Sequence, residues 1–192
     1  MKKIIDEHWK SSTIHDVVLA LLLAEFDKKG DTSDGMKYVV CGDSSPEHQW
    51  QRLRLLYNKY HRRFLWGEVP PDTEWYRVDW LRDRHLKELR VISHCHLDGT
   101  GGMPLVKAAP KVGWELQEDQ ERWACPILFS NNPKGPYTIL EGNHRLLAWR
   151  KKYPRGRSLL MPVYIGISKL PCYWHGSKHV LTNDLWLKRA RK

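Results

Sequence analysis

The chain has 192 residues and a formal charge of +10, and 41% of its residues are hydrophobic while 28% are charged. This composition predicts a compact folded protein and argues against disorder, because its ten tryptophans and eight tyrosines must be covered by packing or by a ligand. The basic charge favours partners that are polyanions, namely nucleic acid, nucleotides or an acidic protein surface, and plain solubility is the alternative.

The first residues do not have the pattern of a secretory signal, because Asp6 and Glu7 stand where such a signal has its apolar core. The best apolar run, residues 17–24, is too short to span a bilayer. We therefore expect a cytoplasmic protein with no membrane insertion. The four cysteines lie far apart without paired spacing, which predicts reduced thiols and no disulfide framework.

The N-terminal part, residues 1–70, is predicted to be helical. Ser12 or Thr13 can cap a first helix that runs to about Lys29, and the S-S-P-E pattern at residues 44–47 begins a second helix that runs to about Trp66. The second helix has a basic face interleaved with aromatic rings, which is typical of nucleic-acid contact, and a solvated face with its aromatics in the core is the alternative. The predicted DNA-binding residues here are Arg52, Arg54, Lys59, Arg62 and Arg63.

Strand-like and helix-like runs alternate over residues 71–180, so the fold class is predicted to be α+β. Strands are expected in EWYRVDWL, CPILFS, YTIL and LLMPVYIGIS, and helices in RDRHLKELRV and RLLAWRKK. The turn NNPKGP is short enough to join the strands on either side of it into a hairpin. Residues 181–192 form a basic C-terminal tail that can reach a polyanion through Lys188, Arg189 and Arg191.

In YTILEGNHRLLAW, residues 137–149, strand spacing changes to helical spacing. The first N–H groups of a helix have no partner within the helix and lie at the positive end of its dipole, so this change predicts an anion site. Gly142 permits a positive φ, Arg145 can hold a phosphate bidentately, and Asn143 and His144 add donors. Glu141 can bind Mg²⁺ with phosphate oxygens or act as a base, and the alternative is a capping role within the fold.

The sequence around this turn resembles the ParB/sulfiredoxin superfamily. Residues 126–166 contain, in order, a hairpin, a G-x-H-R turn, a helix and a strand that begins M-P-V. The resemblance implies a small mixed sheet flanked by helices, here with an N-terminal helical extension. Sulfiredoxins carry a catalytic cysteine between the glycine and the histidine of this turn, whereas this chain has Asn143, so peroxiredoxin repair is excluded.

The resemblance also implies an activity. Nucleotide-binding members hold ATP phosphates with the turn, which implies binding by Gly142, Asn143, His144 and Arg145, and nucleases and free-serine kinases of the superfamily place an acid where Glu141 stands. In size and charge the chain is similar to plasmid fertility-inhibition factors of the Osa (oncogenic suppression) type. Those factors are associated with ATP hydrolysis and DNA cleavage that block DNA transfer through a type IV secretion system.

The implied catalytic residues are therefore Glu141, His144 and Arg145, with Glu141 also as the metal ligand. The implied cofactors are ATP and Mg²⁺ or another divalent cation, and the implied partners are a nucleotide, DNA and components of the secretion or coupling machinery. Two alternatives stay open at this point. One is a non-catalytic inhibitor that binds DNA or protein, and the other is a small-molecule kinase such as a free-serine kinase.

A second candidate set consists of His94, His96, Cys172 and His175. Neutral imidazole and thiolate are the ligands that zinc prefers, so these residues are a candidate structural zinc site. The spacing is poor, and buried side chains that form hydrogen bonds within the fold are the alternative.

Overall fold

The structure is a computed structural model that describes residues 9–29, 40, 42–59, 66, 69–81, 83–91, 104–111, 125–154, 162–170 and 172. The strands are β1 Trp9–Ser12, β2 Glu74–Val78, β3 Leu89–Arg90, β4 Ile127–Ser130, β5 Tyr137–Glu141 and β6 Val163–Ile167. The helices are α1 Ile14–Lys29, α2 Pro46–Lys59, α3 Asp83–Lys87, α4 Leu105–Ala108 and α5 Asn143–Lys152, and a 3₁₀ turn at Ala109–Lys111 follows α4.

The six strands form one mixed sheet in the order β1-β2-β6-β4-β5-β3. Strand β2 is antiparallel to β1 and to β6, and β4 is antiparallel to β5. Strand β4 is parallel to β6, and β3 is parallel to β5. The predicted α+β class with a mixed sheet and flanking helices is therefore confirmed.

The region from β4 to β6 follows the sequence pattern closely. The turn after β4 joins it to β5 as the predicted antiparallel hairpin, and the buried strands β4, β5 and β6 form the centre of the sheet. Helix α5 adds Leu146, Leu147 and Trp149 to the core. Long apolar runs bounded by Gly, Pro and Asn give a strong local signal, which explains why the predictions for this region are confirmed.

Strand β1 was not predicted. It is a short edge strand in which Lys10 and Ser11 are exposed, so its residues show no apolar alternation. The strand forms because its backbone pairs with β2, with Trp9 opposite Val78 and Ser12 opposite Trp75. The division of the chain near residue 70 remains a prediction, and the sheet contains strands from both sides of it.

The first two helices begin as predicted. Helix α1 ends at Lys29, as predicted, and buries Val17, Val18, Leu21 and Leu22 along one apolar stripe. In helix α2 the cap is Ser45, whose hydroxyl accepts a hydrogen bond from the His48 N–H at 3.3 Å. The predicted end of this helix near Trp66 lies beyond Lys59, where its described part ends.

Candidate anion site at the turn between strand β5 and helix α5

The change from strand to helix occurs where the sequence predicts it. Glu141 is the last residue of β5, Gly142 is the N-cap residue, and Asn143 is the first residue of α5. Gly142 has φ 88° and ψ 18°, in the left-handed region, and its carbonyl accepts the first helical hydrogen bond from the Leu146 N–H at 2.9 Å. The predicted positive φ is therefore confirmed.

Gly142 is also required by the packing of the turn. A Cβ atom at this position would lie 3.1 Å from both Cα and Cβ of Pro126. Pro126 is held in place because its carbonyl accepts a hydrogen bond from the Tyr164 N–H at 2.9 Å. The glycine thus has a structural reason to be there whether or not a ligand binds.

Glu141 caps one backbone N–H of the turn, which is part of the role that the sequence offered as the alternative to catalysis. Its Oε1 accepts a hydrogen bond from the N–H of Gly142 at 3.0 Å. The side chain is half-buried at the end of its strand, opposite Ile127 of β4. One backbone donor of the turn therefore already contacts a carboxylate, which shows that the turn accommodates an anionic group.

The other three predicted residues lie in the first turn of α5. Asn143 is buried, whereas His144 and Arg145 are half-buried. Arg145 lies within electrostatic reach of the Cys125 thiol. The structure therefore brings all five residues from Glu141 to Arg145 to one end of strand β5.

Arg77 is a residue near this site that sequence reasoning missed. Burial raises the pKa of the Cys125 thiol, and the guanidinium groups of Arg77 and Arg145 oppose that rise. Burial also raises the pKa of the Tyr164 phenol, and Arg77 opposes that rise too. Two arginines from distant parts of the sequence thus act on the same thiol.

The register of the sheet explains how Arg77 comes near the turn. Arg77 pairs with Tyr164, Tyr164 pairs with Ile127, and Ile127 pairs with Glu141. These four residues form one row across β2, β6, β4 and β5. No local pattern marks Arg77, because only the order of the strands places it in this row.

Arg77 lies next to a carboxylate near the outer edge of the sheet. Its Nε lies 3.6 Å from Oδ1 of Asp79, and Lys10 donates a hydrogen bond from Nζ to Oδ2 of the same carboxylate at 2.7 Å. Lys10 lowers the pKa of Asp79, mainly through this hydrogen bond. The exposed Asp79 therefore remains charged near neutral pH and neutralises part of the positive charge at this edge.

The start of helix α1 has residues of a different type at the positions that correspond to Gly142 and Arg145. Thr13 is followed three residues later by Asp16, whose Oδ2 accepts hydrogen bonds from the Thr13 N–H at 2.8 Å and from the Thr13 hydroxyl at 2.8 Å. Gly142 is followed three residues later by Arg145, and no acidic residue lies in the first turn of α5. The first turn of α1 thus contains its own anion, whereas that of α5 contains a cation.

The predicted DNA-binding residues divide into three groups. Arg52 is buried, and its guanidinium donates hydrogen bonds to the carbonyl oxygens of Gly42 and Asp43, the latter at 2.7 Å. This placement counts against a DNA contact by Arg52, because the group already holds the segment before α2. Arg54 is exposed, and Lys59 is the last residue of α2. Outside the described residues lie Arg62, Arg63, Lys188, Arg189 and Arg191.

The candidate zinc residues are only partly visible. Cys172 is buried and is not part of a disulfide, whereas His94, His96 and His175 lie outside the described residues. Across the described part of the chain, no group of three or more His, Cys, Asp or Glu residues could hold a metal ion. The zinc site therefore remains a prediction.

A cavity of about 420 Å³ lies away from the β5–α5 turn. It is bounded by the end of β1, the start of α1, α2 and the segment before β2, with the stacked rings of Trp66 and Trp75 on its wall. The ring centroids of these two tryptophans are 6.4 Å apart. The cavity thus belongs to the interface between the N-terminal helices and the sheet.

Comparison of the chain with protein-family models, with curated proteins and with solved structures found no match. Among the helices that the structure describes, none is both long and apolar enough to cross a membrane. The residues themselves and the resemblance of the turn are therefore what indicates a function.

Proposed function

We propose that this chain binds the phosphate groups of a nucleotide at the β5–α5 turn and hydrolyses the phosphoanhydride bond of ATP and the phosphodiester bonds of DNA. The resemblance of residues 126–166 to the ParB/sulfiredoxin superfamily supports this proposal. On the same basis, the cellular effect would be that of an Osa-type fertility-inhibition factor, a block of conjugative DNA transfer through a type IV secretion system.

One observation carries the proposal, which is the charge at the start of α5. Arg145 places a positive side chain at the positive end of the helix dipole, and Gly142 has no side chain with which to cap the helix. A bound anion would stabilise both features, because it can accept backbone N–H donors and pair with a guanidinium. The same positions in α1 are occupied by Thr13 and Asp16, which supply this anion from within the chain.

Two side chains of the turn, those of Arg145 and Glu141, then have separate tasks. Arg145 binds phosphate oxygens, and the N–H groups at the start of α5 approach the same group. Glu141 releases the Gly142 N–H and accepts a hydrogen bond from a water or hydroxyl nucleophile instead. It then accepts the proton that this nucleophile loses as it attacks phosphorus. Arg77 adds a second positive charge near the Cys125 thiol, which strengthens the attraction of this end of the sheet for an anion.

A divalent cation fits this arrangement only as a partner of the phosphates. Mg²⁺ is usually held by one or two carboxylates together with substrate phosphates, and Glu141 is the carboxylate that the turn offers. When bound, the cation would neutralise phosphate charge. Binding and proton transfer would still depend on Arg145 and Glu141.

The hydrogen bond of Glu141 favours a second candidate function. A carboxylate that only caps Gly142 would leave the turn without a base, and the chain would then be a non-catalytic inhibitor that binds DNA or protein through its basic surface. Turnover distinguishes the two functions, because an inhibitor of this kind binds without hydrolysis.

The experiment measures ATP binding by calorimetry and phosphate release, both with Mg²⁺, in Glu141→Gln and Arg145→Ala. Glutamine keeps an acceptor for the Gly142 N–H but is not a base, so we expect unchanged binding and a loss of about 100-fold or more in turnover. Removing the Arg145 guanidinium should weaken ATP binding by about 10- to 100-fold. DNA cleavage measured in parallel should follow the same pattern.

Lys151→Ala is the matched control, because it removes one positive charge from the exposed end of the same helix. Its ATP affinity and turnover should equal those of the unmodified chain. If Arg145→Ala binds ATP as tightly as Lys151→Ala, the turn is not the phosphate site. If Glu141→Gln retains full turnover, Glu141 is not the base.

A further inference from the structure

Trp50 is exposed, unlike the other tryptophans whose exposure is described. It lies on α2 with 60% of its surface exposed, whereas Trp9, Trp66, Trp75 and Trp149 are each at most 9% exposed and Trp80 is half-buried. An indole is a large apolar surface that most proteins bury, so an exposed one on a regular helix indicates a surface used for contact.

Arg54 lies one helical turn after Trp50 and contacts its ring. The guanidinium carbon is 5.6 Å from the centroid of the indole, which is a cation–π contact. The contact favours one orientation of the ring and leaves more than half of the residue accessible. Trp50 and Arg54 therefore present an aromatic surface and a positive charge side by side.

The helix that presents this pair is anchored on its other side. Leu56 is buried, and the guanidinium of Arg52 is bonded to the carbonyl oxygens of Gly42 and Asp43. Residues on a fixed helix bind with less loss of conformational freedom than residues on a loop. The exposed pair is thus preorganised by the same arginine that the DNA-binding prediction had assigned to the ligand.

We propose that Trp50 and Arg54 form a stacking site for an unpaired base of single-stranded nucleic acid. This inference rests on the proposed DNA function and specifies which form of the strand is bound. A base that stacks on the indole places its phosphate near the guanidinium, and the charge of +10 on the chain attracts the polyanion. A duplex keeps its bases stacked on one another, so it offers the ring no face.

The chemistry of the surrounding helix face agrees with this assignment. Glu47 lies on the same helix face one turn before Trp50, and its exposed carboxylate accepts a hydrogen bond from the Gln51 amide at 3.3 Å. A protein partner that covered Trp50 would instead require a wider apolar patch, and the neighbouring Gln51 and Arg54 are polar. Charge and ring together thus favour nucleic acid.

The test measures fluorescence anisotropy of a labelled oligothymidylate of about 20 nucleotides, as a single strand and as a duplex with its complement, over a salt series. Trp50→Ala should weaken single-strand binding by about 5- to 100-fold while duplex binding changes little. Trp50→Phe keeps a ring and should retain most of the affinity. Arg54→Ala should also lower the salt dependence of single-strand binding, because one phosphate contact is lost.

Leu170→Ala is the control for loss of exposed apolar surface, and Lys151→Ala is the control for loss of charge. Neither should change the preference for single strands. Equal losses for single strand and duplex in Trp50→Ala, or no loss in either, would overturn the stacking site.

The two proposals fail independently. If the chain hydrolyses ATP but binds no oligonucleotide, the stacking site is wrong and the nucleotide site stands. If Trp50→Ala loses single-strand binding in a chain that never hydrolyses ATP, the stacking site stands and the enzymatic proposal is wrong. Binding of a protein at Trp50 with no nucleic-acid affinity would likewise overturn the stacking site.

Discussion

A single residue separates a strand from the helix that follows it at the starts of both α1 and α5. The charged side chains at the third residue of each helix nevertheless have opposite signs. In α1 the residue between strand and helix is Thr13, and Asp16 closes the first turn by accepting hydrogen bonds from it. In α5 the corresponding residues are Gly142 and Arg145. Both starts thus have a carboxylate on the N–H of the residue before the helix, but the first turn of α1 contains an acidic side chain whereas that of α5 contains a guanidinium, which favours a further, external anion.

Helix α2 provides a third start, and it resembles α1. Ser45 caps the helix through the His48 N–H, and Asp43 accepts hydrogen bonds from the Ser45 N–H at 2.8 Å and from the His48 ring at 2.7 Å. Hydrogen bonds from the hydroxyl and N–H of Ser45, with a further one from His48, lower the pKa of Asp43 to about 2. Carboxylates thus accept a backbone N–H at all three starts, since Glu141 accepts that of Gly142, and α5 differs in having an arginine and no acidic residue in its first turn.

The largest expected effect is at Gly142. Gly142→Ala places a Cβ both in the left-handed region and 3.1 Å from Pro126, and we expect it to lower the free energy of unfolding by about 1–3 kcal/mol. Urea denaturation measures this loss. Gly142→Asn is the informative control, because asparagine tolerates a positive φ but brings the same Cβ. If both variants are as stable as the unmodified chain, residue 142 does not have a left-handed φ and a close approach to Pro126.

Inorganic phosphate should distinguish the two helix starts directly. Phosphate bound only by the folded chain should raise the free energy of unfolding by about 1.4 kcal/mol at ten times its dissociation constant. Arg145→Ala should lose this stabilisation, whereas Asp16→Ala should keep it. Thermal denaturation in a phosphate series measures the difference, and an equal response in both variants would show that phosphate binds elsewhere.

Asp16→Ala removes the internal anion of α1 and should lower the free energy of unfolding by about 1 kcal/mol near neutral pH. Burial raises the pKa of Asp16, but hydrogen bonds from Thr13 and Ser12 outweigh burial and hold it below its ordinary value of 3.8. A lowered pKa stabilises the folded chain above that ordinary value, and this stabilisation is lost as the pH falls through the folded-state pKa. The difference in the free energy of unfolding between the unmodified chain and Asp16→Ala should therefore shrink in acid. A difference that does not change with pH would contradict the lowered pKa of Asp16.

The smallest effect is expected at Ser45. Its hydrogen bond to the His48 N–H is long, at 3.3 Å, so Ser45→Ala should cost about 0.5 kcal/mol of unfolding free energy. Ser45→Thr keeps the hydroxyl and serves as the control. If Ser45→Ala lowers the free energy of unfolding as much as Asp16→Ala does, the lengths of the capping hydrogen bonds do not rank the stability of these two helix starts.

Local sequence predicted the region from β4 to β6 because its signals act over short distances. The hairpin turn, the left-handed glycine and the apolar runs are all contained in residues 126–166, and each is confirmed. Strand β1 gave no such signal, and the helix predicted over residues 82–91 is wrong at Leu89–Arg90, because these two short strands form by pairing with β2 and β5. Arg52 shows the same limit for function, since a basic helix pattern does not reveal which arginine turns inward.

The sequence by itself determined where helices α1, α2 and α5 begin and that Gly142 separates a strand from a helix, because caps, prolines and glycines act on their immediate neighbours. Only the tertiary structure decided that Arg77 joins Arg145 beside Cys125, that Arg52 is buried and that Trp50 is exposed. Those outcomes depend on strand order and on which helix face packs against the sheet, and these are set by contacts between residues far apart in the chain.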